Sequence, residues 1–141
     1  MSRQVPRTRK EKKEDTRERV RRAAFELFSS VGFDATTTKA VAERAEVATG
    51  TVFVHARDKD DLLCLVMDEL LRDAVVRGFQ RVEPRAPLLE QLLRVFGSIF
   101  EMYGENPKLV RPFVRTFPTS TGPNGARVAA YTFEFLGRIA A

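Results

Sequence analysis

Tryptophan is absent from the 141 residues, and cysteine and histidine occur once each, as Cys64 and His55. A lone cysteine excludes an internal disulfide and fits a reducing compartment, so a cytoplasmic chain is expected. One imidazole and one thiol, nine residues apart, do not build a metal site from paired ligands, so no metal is expected. Catalytic signatures are missing as well. There is no Gly-x-Ser-x-Gly elbow and no phosphate-binding glycine loop, which argues against an enzyme and implies no cofactor. No apolar run reaches the roughly 20 residues that cross a bilayer. The basic N-terminus leads into an amphipathic stretch rather than an apolar core, so it does not read as a secretory signal.

What the chain does have is phenylalanine, eleven of them, within a hydrophobic fraction of 43% that can build a core. It also has an uneven charge. Ten Lys and Arg against four acids in residues 1–22 leave a surplus of six there, so the other residues sum to −1 within the net +5. A basic arm on a nearly neutral body suggests contact with a polyanion. Residues 1–13 lack apolar periodicity and contain Pro6; they read as a disordered basic arm. Within it Arg7, Arg9, Lys10, Lys12 and Lys13 either enter a minor groove or add only non-specific attraction.

Apolar residues at helical spacing define every further element, and no strand candidate survives. Val20, Ala24, Leu27, Phe28 and Val31 share one face of a first helix that runs from about Asp15 or Thr16 to Ser30 and ends at Gly32. Thr37 is placed to cap a second helix, Thr38 to Ala45. A third begins near Thr49 without a capping side chain at Ala48. Asp58 caps a long fourth helix with the stripe Leu62, Leu63, Val66, Leu70, Ala74 and Val75. Pro84 and Pro87 interrupt the chain before a fifth helix whose face is Leu89, Leu92, Leu93, Phe96, Ile99, Phe100 and Tyr103. Asn106-Pro107 reads as N-cap and first position of a sixth helix, with Pro112 expected to kink or shorten it. Pro118 through Gly125 reads as a loop, and a seventh helix carries Val128, Thr132, Phe135, Leu136 and Ile139.

Two short helices around a tight turn at Glu46-Val47 form a helix-turn-helix pattern, whose second helix enters a DNA major groove. This stretch resembles the DNA-binding domain of the TetR family of bacterial transcriptional regulators. The resemblance rests on Ala23, Leu27 and Phe28, then Gly32, Phe33, Thr36, Thr37, Ala42, Ala45, Val47, Gly50, Thr51, Phe53, His55, Lys59 and Leu62. Three positions depart from it: Glu46 replaces the usual turn glycine, Ala48 the usual serine and Ala56 the usual phenylalanine. The expected organisation is all-α: the arm 1–13, a helix-turn-helix domain 14–58, and a helical effector-binding and dimerisation domain 59–141.

The resemblance implies a repressor that binds a palindromic double-stranded DNA operator as a homodimer and is released by a small apolar effector. The expected DNA-binding set is Thr37, Thr38, Lys39, Thr49, Gly50, Thr51, Val54, His55 and Lys59. Thr37 serves as cap, phosphate contact or both, and Lys59 as phosphate clamp or solvated charge. His55 contacts phosphate by resemblance, or is a partly buried packing residue. Phe53 reads as core, in place of the family's usual tyrosine, and Cys64 as an inert buried thiol. Lys39 and Arg44 either touch the backbone or solvate an outer face. Phe96, Phe100, Tyr103, Phe113, Phe117, Tyr131 and Phe135 are candidates for an effector pocket, and equally for an ordinary core.

Family members are usually longer, and their last two helices form the dimer interface. The resemblance therefore implies a chain shortened after Ala141, whose seventh helix pairs through Val128, Phe135 and Ile139 or leaves them exposed. The alternative reading is a truncated paralogue that does not bind DNA and acts as a small-molecule-binding or heterodimerising protein.

Overall fold

The computed structural model describes residues 5–141. Among these residues seven α-helices follow in order: α1 (Arg9–Ser30), α2 (Thr38–Ala45), α3 (Thr49–His55), α4 (Lys59–Gln80), α5 (Leu88–Glu105), α6 (Pro107–Thr116) and α7 (Pro123–Ala140), with a 3₁₀ turn at Phe117–Thr119. No strand occurs among the described residues. One cluster of buried side chains runs from Val20 in α1 to Ile139 in α7. Helix α4 carries its centre: every residue from Asp61 to Asp68 is buried, because α1, α5, α6 and α7 all pack on it.

Most boundaries follow from local chemistry. Thr37 Oγ1 accepts the Ala40 N–H at 3.0 Å, and Asp58 Oδ1 accepts that of Asp61 at 2.8 Å, so both expected caps are made. Gly32 ends α1 with φ 95°, a conformation that favours glycine. Pro112 sits buried inside α6, which nevertheless continues to Thr116.

Several expectations need correction. Helix α1 does not begin near Asp15. It starts at Arg9 behind a capping box, in which Thr8 Oγ1 accepts from Glu11 N and Glu11 Oε2 accepts from Thr8 N. Residues 9–13 of the expected arm are therefore helical, and residues 1–4 of it lie outside the described residues. Asn106 does precede α6, but its side chain gives no N-cap. Its Nδ2 instead donates to Met102 O in the last turn of α5. The expected loop from Pro118 to Gly125 is shorter, since α7 already begins at Pro123.

The fifth helix turns a different face inward. Its buried residues are Val95, Ser98, Ile99 and Met102, whereas Leu89, Leu93 and Phe100 face outward. The reason is a close approach of backbones. A Cβ on Gly78 of α4 would lie 2.6 Å from Val95 Cα, so α5 is seated with Val95 against that glycine. On α7, Val128, Phe135 and Ile139 are buried within the chain rather than offered to a partner. The exposed apolar residues there are Phe133 and Leu136.

Candidate nucleic-acid interface and apolar cavity

The turn between α2 and α3 is held from outside. Glu46 takes the left-handed conformation at φ 57° and ψ 47°, which costs a non-glycine residue about 1 kcal/mol. Val47 N–H reaches back to Ala42 O at 3.0 Å. The carbonyls left over at the end of α2 are taken by α1: Arg19 donates to Ala45 O at 2.6 Å and to Glu46 O at 3.3 Å. Arg44 pairs with Glu26 at 2.6 Å, which ties α2 to α1.

Helix α3 has no side-chain cap at Ala48, and Val52 pins it to the core at 1% exposure. Thr49, Gly50, Phe53 and Val54 face solvent, and Thr51 is half-buried. Phe53, expected in the core, is 49% exposed, and Val54 is 63% exposed. Two large apolar side chains on a seven-residue helix present an unusual face to water. Gly50 adds to this. A Cβ there would meet nothing within 4 Å, so packing inside the chain does not call for a glycine that costs about 1 kcal/mol against alanine in a helix. A helix bare at that point admits close approach by an external backbone.

His55 does not lie on this face. It is 8% exposed, which favours the packing reading over the phosphate contact. Desolvation lowers its pKa below the ordinary histidine value, and the positive charges of Arg17 and Lys13 lower it further. Lys59 is half-buried and turned inward. Its Nζ donates to Phe33 O at 3.0 Å and sits 4.4 Å from the centre of the Phe33 ring. One ammonium N–H is spent on that staple, and two are left for an anion. Thr37 and Lys39 are exposed, and Thr38 is half-buried. The Thr37 hydroxyl still has a donor after accepting from Ala40 N.

Elsewhere, α4 to α7 line an apolar pocket of about 380 Å³ that is open to solvent where Phe100 and Val114 are exposed. Phe96, Phe100, Tyr103, Phe113, Phe117 and Phe135 line it, as do Leu71, Ile99, Val128 and Thr132. Tyr131 is a correction: it is buried outside the lining, with the Arg72 guanidinium 4.1 Å from its ring centre. The Thr132 hydroxyl donates to Val128 O within its own helix, and burial raises the Tyr103 pKa, which keeps that hydroxyl protonated. The cavity thus offers apolar walls and few polar groups, the usual make-up of a small-molecule site. Cys64 is fully buried, its thiol pushed up to about 11 mainly by burial. It is inert at neutral pH.

Residues 20–64 match the family model described as bacterial regulatory proteins, tetR family. A solved TetR transcriptional regulator from Streptomyces coelicolor is 30% identical with a TM-score of 0.69, over 87% of this chain and 57% of that one. The chain carries a TetR-family helix-turn-helix segment on a TetR-type fold. A putative TetR-family regulator from a Shewanella species is 26% identical with a TM-score of 0.58, over 89% of this chain and 66% of that one. Among curated relatives, the HTH-type transcriptional repressor KstR of Rhodococcus jostii is 28% identical over 81% of this chain and 53% of its own length. The uncharacterized HTH-type transcriptional regulator YhgD of Bacillus subtilis is 29% identical over 62% of this chain and 46% of its own. The chain thus spans about half the length of these two relatives.

Against the TetR pattern, exposure adds Phe53 to the candidates on α3. Val52, Phe53 and Val54 are all apolar, so periodicity assigns no inward face to them. Arg19 was missed, because its partners are backbone carbonyls 26 and 27 residues away.

The burial of His55 in this TetR domain has a pH consequence. A histidine whose pKa is depressed on folding binds more protons unfolded than folded, so its neutral form favours the native state. That contribution is complete above the unfolded value of 6.5 and is lost as pH falls through the lowered folded value. The melting temperature should therefore fall on acidification below about pH 6.5. Replacing His55 by Gln should flatten this dependence, and thermal melts from pH 7.5 to 5 check it.

Proposed function

We propose that this protein is a DNA-binding transcriptional regulator, a repressor released when a small apolar ligand enters the cavity. The observation that carries the DNA reading is the bare face of α3. Gly50 has no steric need for its lack of side chain, and Phe53 and Val54 are exposed beside it. A major groove admits one α-helix, and apolar side chains there meet thymine methyls. Thr49 and Thr51 reach bases or phosphates, Thr37 and Lys59 take phosphates at the starts of α2 and α4, and Thr38 and Lys39 flank them. The helical basic run Arg9–Lys13 adds long-range attraction.

Two copies would read a palindromic operator, with half-sites about 34–36 Å apart. Leu89 and Leu93 of α5 and Phe133 and Leu136 of α7 are exposed apolar residues available for a second copy to cover. Ligand in the cavity would act on α4, whose Leu71 forms part of the wall, and so change the spacing of the two α3 helices.

The test is selection of duplexes from a random-sequence pool, followed by titration of the recovered duplex over a salt series. The unaltered chain should recover a palindrome. Lys59→Ala should bind all sequences more weakly and reduce the slope of log affinity against log salt by about one unit. An unchanged slope removes Lys59 from the interface, and recovery of no duplex removes the proposal.

A further inference from the structure

Helix α7 begins in an unusual way. Its N-cap is Gly122, which has no side chain to accept the first free N–H groups of the helix. The acceptor comes instead from α4, 61 residues earlier in sequence. Asp61 Oδ1 accepts from Asn124 N at 2.9 Å and from Gly125 N at 3.1 Å. Gly122 is required for this, because a Cβ there would overlap the Asp61 carboxylate. The other oxygen, Oδ2, accepts from Arg57 N at 2.9 Å and from Asn124 Nδ2 at 3.0 Å. Four donors fill the four acceptor positions of a carboxylate that is 1% exposed. Its negative charge also sits at the positive end of α7.

Asn124 Nδ2 has a second hydrogen, and it goes to His55 O at 2.8 Å. His55 is the last residue of α3, so that carbonyl is one the helix itself leaves unpaired. The two side chains therefore close the C-terminal end of α3 and the N-terminal end of α7 together. Arg57 strengthens the junction from outside, donating to Thr121 Oγ1 at 2.7 Å. Beyond this junction, α7 continues to Val128, Thr132 and Phe135, which wall the apolar cavity.

We propose that Asn124, held by Asp61 of α4, is a positioning residue: a buried latch through which α7 sets the tilt of α3, so that a displacement of α7 at the cavity reaches the recognition helix through the Asn124–His55 hydrogen bond as well as through α4. This inference rests on the reading of α3 as the DNA-contacting helix. A fully bonded buried network has one low-energy geometry, which is what a rigid coupling between two helix ends needs.

Three readouts test it. Asn124→Ala keeps the backbone N–H groups that Asp61 accepts, so α7 stays capped while the grip on His55 O is lost. Amides of the last turn of α3 and of Ala56 and Arg57 should then exchange at least tenfold faster, with the interior of α7 unchanged. Phe135→Leu should shift the amide resonances of α3 in the otherwise unaltered chain, and at least threefold less in the Asn124→Ala background. Unchanged exchange in α3, or an equal shift in both backgrounds, overturns the latch.

Should Asn124→Ala fail to fold, the unaltered chain supplies the readout. The amides of Arg57 and Gly125, bound to opposite oxygens of Asp61, should open together as denaturant rises. Opening constants more than tenfold apart would overturn the proposal. DNA enters separately: Asn124→Ala should weaken the selected duplex about tenfold with an unchanged salt slope, which a lost phosphate contact would not do. Failure to select any duplex sinks the DNA reading alone, because the exchange measurements do not involve DNA.

Discussion

Val54→Glu should abolish operator binding while leaving the fold intact. Val54 is exposed, so its replacement empties no core space, and glutamate is a better helix former than valine. The new carboxylate, however, stands on the face assigned to the groove, where it meets phosphates and base acceptors with little water between. Like charges brought together in an interface cost several kcal/mol, which is a loss of more than hundredfold in affinity. Fluorescence anisotropy of a labelled duplex at about 100 mM salt measures it, a condition in which distant charges are largely screened. Val76→Glu is the control. Val76 is also exposed, on α4, and the substitution changes the net charge of +5 by the same amount. It should cost less than threefold. Equal binding by Val54→Glu and the unaltered chain would place DNA on another surface.

Gly78→Ala should have the largest effect on stability of any single-methyl change in the chain's helices. In an exposed helix interior, alanine for glycine stabilises by about 0.5–1 kcal/mol. At Gly78 the added methyl would meet the backbone of α5: Val95 Cα at 2.6 Å, and the carbonyl oxygens of Arg94 and Val95 at 3.2 Å. A backbone does not move aside as a flexible side chain would, so α5 must lift from α4. Overpacking of this kind costs about 1–3 kcal/mol, which outweighs the gain in propensity. The melting temperature should fall by about 5 °C, on the scale of a few degrees per kcal/mol at this chain length. Gly137→Ala provides the opposite sign, because a Cβ there meets nothing within 4 Å; it should raise the melting temperature by about 2 °C. If both substitutions stabilise, the close seating of α5 on Gly78 is wrong.

The start of α1 carries a local signal that the reading of a disordered arm leaves out. Thr8-x-x-Glu11 is a capping-box pattern, yet the surrounding run of Lys and Arg reads equally as a solvated arm. The structure makes both reciprocal hydrogen bonds. In the C-terminal half the aromatic candidates were legible as a group, and all but Tyr131 line the cavity. Tyr131 lies at helical spacing with Phe135, but the Arg72 guanidinium over its ring and its place on the α4 side of α7 were not visible in that spacing.

By itself the sequence determined where most helices start, stop and turn, with α7, capped by Asp61 of α4, as an exception. The caps at Thr37 and Asp58 and the break at Gly32 are made with groups three to five residues away, and interactions that local are encoded in neighbouring residues. It also determined the TetR-type helix-turn-helix, because that motif is one short run of consecutive positions. Only the tertiary structure decided which way each helix faces. Helix α5 carries two adjacent apolar stripes, and the contact of Val95 with Gly78 selects one of them. Helix α3 is apolar on both sides, and burial of Val52 and His55 leaves Phe53 and Val54 outside. The Asp61–Asn124 junction joins residues 63 apart, and nothing near either one announces the other. A helix forms from hydrogen bonds to its own next turn, whereas rotation about its axis breaks none of them and is chosen by whatever packs against it.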